Sequence, residues 1–187
     1  MPELYKRDQK FKHINTLPKG EYENCMFIHC DFSELDFSNY EFIDCQFENC
    51  NLSLLKSYKT ALRNVQFIEC KMLGIRFDIC NQFGLSFSFN NCQLNHSSFF
   101  EMKIPNIYFD TCELEEVDFE KCDLSNVVFD NCNLNRAVFN KCTLFKTNFR
   151  TAYNFSIDPE NNKIRKASFS SQGISGLLDK YDIEIEY

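Results

Sequence analysis

The chain has 187 residues, which suits one domain with a packed core. It contains 21 Phe and 11 Cys but no Trp, and this narrow choice of apolar residues indicates that one small structural unit is repeated many times. Its net charge of −7 argues against direct binding of nucleic acid, because that affinity depends on Lys and Arg side chains that neutralise phosphates.

The first 21 residues precede the repeat and are predicted to cap it. They carry isolated apolar residues, Phe11, Ile14 and Leu17, that can cover an open end of the fold. No apolar run follows the basic residues Lys6 and Arg7, so the sequence predicts no signal peptide. No later stretch reaches the roughly 18 apolar residues of a membrane span. We therefore expect a cytoplasmic protein without a membrane segment.

Between residues 22 and 151 apolar residues recur at every fifth position, which is the period of neither a strand nor an α-helix. The first register, with lapses at Ser57 and Gln82, consists of Phe27, Phe32, Phe37, Phe42, Phe47, Leu52, Leu62, Phe67, Met72, Phe77 and Phe87. The second register consists of Leu94, Phe99, Ile104, Phe109, Leu114, Phe119, Leu124, Phe129, Leu134, Phe139, Leu144 and Phe149. Because seven positions separate Phe87 from Leu94, we predict two extra residues within 78–93.

A second restricted slot lies two positions before each of these central residues, and all 11 Cys occupy it. Side chains two apart on an extended segment point to the same side, so both positions face inward and the chain then turns a corner. Four such units close a square coil, and coils stack about 4.8 Å apart, giving roughly 6–7 coils. The cysteines lack C-x-x-C spacing and alternate with Val, Ala and Thr, which favours packing over metal binding or redox chemistry.

Units such as Cys-Asp-Leu-Ser-Asn (122–126) and Cys-Asn-Leu-Asn-Arg (132–136) resemble the pentapeptide-repeat family. The resemblance covers residues 22–151. It implies an all-β fold, a right-handed quadrilateral β-helix, here followed by a short C-terminal helix.

Residues 152–187 leave the repeat and are predicted to form a C-terminal cap. A turn at 158–162 precedes a short helix that begins near Ser170–Gly173, and Ile183 and Ile185 alternate with acidic residues as in a strand. The segment either caps the last coil only or also joins two chains in a symmetric dimer. The predicted dimer interface consists of Leu177, Leu178, Tyr181, Ile183 and Ile185.

Two irregular segments, 54–64 and 78–93, interrupt the repeat. Either could be a functional loop on a rigid scaffold or a tolerated insertion, and the sequence leaves both possibilities open.

The sequence favours a protein that is not an enzyme. Its three His lie outside any known catalytic motif, and a tube filled with Phe has no room for a substrate pocket. We accordingly predict no catalytic residue, no cofactor and no metal site.

Acidic residues form two runs, one from Glu21 to Glu48 and one from Asp110 to Asp130. The second run is the predicted partner-binding surface and consists of Asp110, Glu113, Glu115, Glu116, Asp118, Glu120, Asp123 and Asp130. These outward carboxylates either keep the protein soluble or imitate the charge of a DNA duplex that a DNA-binding protein recognises.

The register break and the tail Gly-Leu-Leu-Asp-Lys-Tyr-Asp-Ile-Glu-Ile (176–185) resemble the quinolone-resistance (Qnr-like) and microcin-immunity branch of the family. This resemblance implies a homodimer joined at its C-terminal ends, whose acidic surface stands in for DNA on DNA gyrase or topoisomerase IV. The irregular segments here are short, in contrast to the long projecting loops of that branch. The alternative function is a structural scaffold that mediates other protein–protein interactions.

Overall fold

The computed structural model describes residues 4–186, which form a β-helix of about eight turns. The strands are short because the chain turns a corner within every five residues. They are β1 (Leu4–Arg7), β2 (Lys10–Lys12), β3 (Gly20–Glu23), β4 (Met26–Ile28), β5 (Glu41–Ile43), β6 (Gln46–Glu48), β7 (Ala61–Arg63), β8 (Val65–Ile68), β9 (Phe87–Asn90), β10 (Tyr108–Asp110), β11 (Val128–Asp130), β12 (Asn148–Phe149) and β13 (Ser168–Phe169). Three 3₁₀ helices span Phe77–Ile79, Gly173–Leu177 and Asp179–Tyr181.

Every strand pairing is parallel and joins successive turns. One sheet has the order β1-β3-β5-β7, and the other runs from β2 through β4, β6 and then β8 to β13 in succession. Phe109 of β10 lies beside Phe129 of β11, so one turn takes 20 residues there. Isolated parallel bridges connect the remaining sides. The predicted right-handed quadrilateral β-helix is confirmed.

Four sides surround the tube, and we name them faces A, B, C and D. In the turn that starts at β10 their central inward residues are Phe109, Leu114, Phe119 and Leu124 respectively, all fully buried. The residues that flank each centre point outward. A residue and its counterpart about 20 positions later therefore lie on the same face in adjacent turns.

A ladder of stacked Phe rings forms the inner wall of face A. Its members, in order, are Phe11, Phe27, Phe47, Phe67, Phe89, Phe109, Phe129, Phe149 and Phe169. Neighbouring rings are nearly parallel, for example 5.1 Å apart at 12° between Phe109 and Phe129. Burial of each ring contributes about 1.5–3 kcal/mol, so this ladder is a main source of stability.

The extra residues lie between Asn81 and Phe87, inside the predicted segment 78–93. Ala61 pairs with Asn81 and Val65 pairs with Phe87, so this turn is two residues longer. The prediction that Phe87 is a central residue is wrong. Phe89 takes that position opposite Phe67, and Phe87 fills the slot two positions earlier. Both rings point inward and lie two residues apart, so their spacing alone does not show which is the central residue and which occupies the slot two positions before it.

Segment 54–64 contains no loop. Residues Asp36 and Lys56 bridge, and β7 pairs with β5, with the ordinary offset of 20. Ser57 occupies a central position where the repeat otherwise has an apolar residue. Its side chain is buried, and its hydroxyl donates a hydrogen bond to the carbonyl of Arg76 at 2.6 Å. The smaller side chain leaves an internal apolar cavity of about 30 Å³.

Strand pairing extends beyond residues 22–151 at both ends, from β1 on β3 to β13 on β12. The tail then folds over the last turn, where the amide of Ile157 donates to the carbonyl of Gly176 at 2.8 Å. The predicted helix is present as 3₁₀ turns. The predicted strand at Ile183 and Ile185 is wrong, because Asp182 ends the helix in a left-handed conformation (φ 49°) and residues 182–186 pair with no strand.

Candidate partner-binding surface

All 11 cysteines are buried, which confirms that the slot faces inward. Several of the side chains in the slot also donate hydrogen bonds. The thiol of Cys122 donates to the carbonyl of Phe99 at 2.8 Å, and the hydroxyl of Thr60 donates to that of Phe37 at 2.7 Å. Burial raises the pKa of Cys45 from 9.0 to about 12 and that of Cys142 to about 11. These thiols are therefore protonated and enclosed, which makes them poor nucleophiles.

From residue 4 to residue 186, no three or more His, Cys, Asp or Glu side chains group together in an arrangement suited to a metal ion. The three 3₁₀ helices in that range are too short to cross a membrane.

The eight predicted acidic residues encircle the rod, because the run from 110 to 130 is one full turn. Asp110 and Asp130 lie on face A, and Glu113, Glu115 and Glu116 lie on face B. Asp118 and Glu120 are on face C, and Asp123 is on face D. The run is therefore not one continuous surface that a single partner can cover.

Several of these carboxylates are engaged within the fold. Asp118 accepts a bond from the amide of Glu120 at 2.8 Å, and Asp123 accepts one from the amide of Ser125 at 3.0 Å. Such bonds fix the corner of a turn. Glu116 forms an ion pair with Arg136 at 2.9 Å. These three side chains are less available to a partner.

An acidic surface lies at the corner between faces A and B, interrupted by Lys71 and by one uncharged turn with Asn90, Asn91 and Gln93. We call it the acidic edge, and it consists of Glu48, Glu69, Asp110, Glu113 and Asp130. Its members come from separate turns, and a spacing near 20 in the sequence is the signal that reveals them. Glu48 and Asp130 lie four turns apart, on the order of 20 Å.

Neighbouring polar groups hold the acidic edge in place. Asn90 donates to Asp110 at 2.7 Å, and Asn133 donates to Glu113 at 2.8 Å. Asp130 accepts bonds from Thr151 and Tyr108, both at 2.7 Å, and these bonds lower the pKa of its carboxyl group. Three of the five carboxylates, those of Asp110, Glu113 and Asp130, are therefore held in place by neighbouring side chains.

An open groove follows the acidic edge. Its volume is about 500 Å³, and Glu69, Lys71, Asn91, Gln93 and Glu113 are among the residues that line it. The lining is mostly polar and exposed to solvent. The groove is suited to charged groups of a macromolecular partner rather than to an apolar small molecule.

The charge reverses in the last turns, which sequence reasoning missed. Residues 131–157 contain no Asp or Glu. Asp158 and Glu160 follow, and both bind Lys180 at 2.7 Å. The basic residues of this region are Arg136, Lys141, Lys146, Arg150, Lys163, Arg165 and Lys166. The turns from residue 131 to residue 157 are thus basic, whereas the tail that follows carries Asp179, Asp182, Glu184 and Glu186, and the acidic edge lies further toward the N-terminus.

The five residues predicted to join two chains differ in exposure. Leu177 packs partly against the core, and Leu178 is half-buried. Tyr181, Ile183 and Ile185 are exposed, at 53%, 55% and 40% respectively. These three leave apolar surface in water at the C-terminal end, and the dimer interface stays a prediction.

Comparison with known proteins agrees with this architecture. The sequence matches a family described as "Pentapeptide repeat region" over residues 21–99 and 40–119, and one described as "Pentapeptide repeats (8 copies)" over 112–150. The chain belongs to the pentapeptide-repeat family. A search of curated proteins gave no match.

Solved structures with the same fold include QnrB1, described as a plasmid-mediated fluoroquinolone resistance protein. A trypsin-treated form is 15% identical, with a TM-score of 0.62 and coverage of 98% of both chains. The full-length form is 17% identical, with a TM-score of 0.50 and coverage of 95% of this chain and 100% of QnrB1. HetL of Nostoc sp. strain PCC 7120, involved in heterocyst differentiation regulation, is 11% identical, with a TM-score of 0.44 and coverage of 89% and 85%. At these identities the likeness to the two QnrB1 structures shows the fold alone.

Proposed function

We propose that this chain is a non-enzymatic, DNA-mimicking protein that binds a type II topoisomerase such as DNA gyrase and protects it from a quinolone or a toxin. The acidic edge supports this proposal most directly. Its carboxylates lie on a straight rod at fixed positions about 4.8 Å apart or multiples of that distance. A protein surface that binds DNA presents Lys and Arg side chains along a similar path.

The structure changes which residues we assign to this role. Glu48, Glu69, Asp110, Glu113 and Asp130 share one edge, whereas Asp118, Glu120 and Asp123 of the predicted set lie on faces C and D. A partner that grips the A–B corner contacts the first group and not the second. The edge spans roughly 20 Å, about six base pairs at 3.4 Å each.

A supercoiling assay tests the proposal. Purified protein is added to DNA gyrase and, separately, to topoisomerase IV, with and without a quinolone. We expect inhibition of DNA binding at high protein concentration and reduced drug-induced cleavage at lower concentration. Unchanged supercoiling, DNA binding and cleavage at micromolar protein would overturn the proposal.

A second candidate function is a scaffold for another protein, and one observation favours it. Leu54 is 59% exposed, and among the left-handed corner residues of the described range 4–186 it is the one apolar side chain, the others except for two Gly being polar or charged. It borders a groove of about 380 Å³ that also contains exposed Tyr58, as well as Ile79 and Lys56. This groove lies between faces B and C, away from the acidic edge. Capture of a partner that is lost with Leu54→Asp but not with acidic-edge variants would support the scaffold.

A further inference from the structure

Face D carries opposite charges at its two ends. The bridges from Glu21 to Glu41, Ala61 and Asn81, and from Lys103 to Asp123, Thr143 and Lys163, define one outward column along this face. The turns of β3 and β5 contribute Glu21, Glu23, Glu41 and Asp44, and β1 before them contributes Arg7. The last two turns contribute Lys146, Lys163, Arg165 and Lys166. Such an arrangement is complementary to itself when one copy is reversed.

An exposed aromatic ring lies near the middle of the same face. Phe83 is 80% exposed, more than any other large apolar side chain of residues 4–186. It belongs to the two-residue insertion between Asn81 and Phe87, and its ring meets the guanidinium of Arg63 only at 6.0 Å. The core does not use this ring. Buried aromatic side chains are common anchors of protein interfaces, so a second copy that covers this ring would gain apolar contact.

From these observations we propose that face D binds face D of a second copy, with the two rods side by side and antiparallel. The two-fold axis lies in the plane of the interface, perpendicular to the rods, close to Phe83. This symmetry reverses the order of turns but keeps each outward column opposite itself. A two-fold interface requires this kind of self-complementarity.

The pairing can be followed turn by turn from the ends to the centre. Glu21 faces Lys163 of the second copy, and Glu23 faces its Arg165. In the next turn Asp44 faces Lys146, and the half-buried side chains of Ile43 and Phe145 face each other. At the centre Phe83 meets exposed Pro105. Charged contacts at both ends therefore flank apolar contacts nearer the axis.

The basic side chains are free to form these contacts. Within residues 4–186, Lys146, Lys163, Arg165 and Lys166 have no carboxylate partner in their own chain. Among the acidic side chains, Glu21 and Asp44 likewise have no basic partner within that range. Glu41 is bound to Arg63 at 2.8 Å, and Glu23 is contacted by Arg7 at 3.5 Å, so Glu21 and Asp44 carry most of the attraction. The charges fix the direction of association, and the apolar side chains supply contact area. Face B and the acidic edge stay uncovered, so this interface does not depend on the proposed function.

The expected association is weak and sensitive to salt. One narrow face buries less than the roughly 1,200 Å² of a standard stable interface. Its ion pairs are exposed and are screened at high ionic strength. We expect a micromolar dimer at low salt that dissociates at about 0.5 M salt.

Reciprocal charge reversal tests the geometry by sedimentation velocity. Variant one carries Lys146→Glu, Lys163→Glu and Arg165→Glu, and variant two carries the reversals of their partners, Asp44→Lys, Glu21→Lys and Glu23→Lys. Both also carry Ile183→Asp and Ile185→Asp, so that the C-terminal contact cannot contribute. Each variant alone should be monomeric, because like charges meet at both ends. An equimolar mixture should restore the dimer. Monomers in the mixture, or dimers of either variant alone, would overturn the interface.

Carbodiimide cross-linking of the wild-type protein gives independent evidence without substitutions. Glu21 and Lys163 lie at opposite ends of one rod, roughly 30 Å apart at ~4.8 Å per turn. A Glu21–Lys163 or Asp44–Lys146 amide detected by mass spectrometry must therefore join two copies. Phe83→Ser should reduce the yield of both products several-fold. Equal yields with Phe83→Ser, or cross-links confined to the C-terminal ends, would contradict the antiparallel contact.

Discussion

The thiol of Cys122 donates a hydrogen bond to the backbone carbonyl of Phe99, 2.8 Å away on the preceding turn. Cys142 forms the equivalent bond to Phe119 at 3.0 Å, and Thr147 forms one to Leu124 at 2.8 Å. The inward slot is therefore defined by more than size. A small side chain with a donor satisfies a second lone pair of a buried carbonyl, which explains why Cys and Thr recur there.

Cys122→Val and Cys122→Thr separate these two requirements. Valine fills the slot but cannot donate, so we expect a loss of about 1 kcal/mol in the free energy of unfolding. Threonine fills the slot and donates as Thr60 and Thr147 do, so its cost should be smaller. Urea denaturation measures both. If the valine variant is as stable as the wild type, the thiol bond contributes nothing.

Phe129 tests the aromatic ladder. Its ring is fully buried and stacks at 5.1 Å on both Phe109 and Phe149. Phe129→Ala should cost about 3–5 kcal/mol because it removes the ring and leaves a cavity. Phe129→Asp should prevent soluble expression, since the charge is buried without a partner. Val128→Ala, on the outer side of the same strand, is the control and should change stability by less than about 1 kcal/mol.

The ladder can be predicted from the sequence, because a five-residue unit with one corner allows only one inward register over most of the chain. The sequence does not show whether Phe87 or Phe89 is the central residue, because the insertion beside them makes either assignment possible.

The acidic residues show a second limit, because the sequence analysis grouped Asp110 to Asp130 by their proximity along the chain. In a coil of 20 residues, neighbours in sequence surround the rod, and only residues about 20 apart share an edge. The acidic edge and the two charged ends of face D follow from the turn length rather than from local runs.

The cysteines give a pH prediction. Burial raises the pKa of Cys45 from 9.0 to about 12, so the folded protein keeps this thiol protonated where the unfolded chain ionises it. Between pH 9 and 12 the unfolded state binds fewer protons, and the free energy of unfolding falls as the pH rises. Melting temperatures measured from pH 7 to 11 should therefore decline above pH 9. The native protein should react slowly with a thiol reagent at pH 8, and the denatured protein should release 11 equivalents.

The control replaces Cys45 and Cys142 by Thr. If the melting temperature of this variant still declines above pH 9, groups other than these two thiols cause the decline. Rapid labelling of several thiols in the native state would contradict their burial. Both measurements use the same preparation, so they can be compared directly.

The C-terminal contact is tested with surface substitutions. Truncation after Gly173 removes the Gly176 carbonyl that binds Ile157 and the Lys180 side chain that binds Asp158, so it damages the fold as well. Ile183→Asp with Ile185→Asp changes only exposed side chains. Light scattering at high micromolar concentration and about 0.5 M salt, where face D contacts are screened, should show a dimer for the wild type and a monomer for this variant. A monomeric wild type under these conditions rules out the C-terminal dimer.

Removal of charge from the acidic edge tests the proposed topoisomerase binding. Asp110→Asn, Glu113→Gln and Asp130→Asn keep the size of each side chain and point away from the core. The matched control removes as many charges from face C, with Asp36→Asn, Glu101→Gln and Glu120→Gln. If gyrase binds the A–B corner as it binds DNA, the edge variant should lose at least tenfold in affinity, equivalent to about 1.4 kcal/mol. The control should bind as the wild type does, and wild-type binding should weaken with salt. Equal losses for the two variants would show that only the net charge matters, and the acidic edge would then not be the binding site.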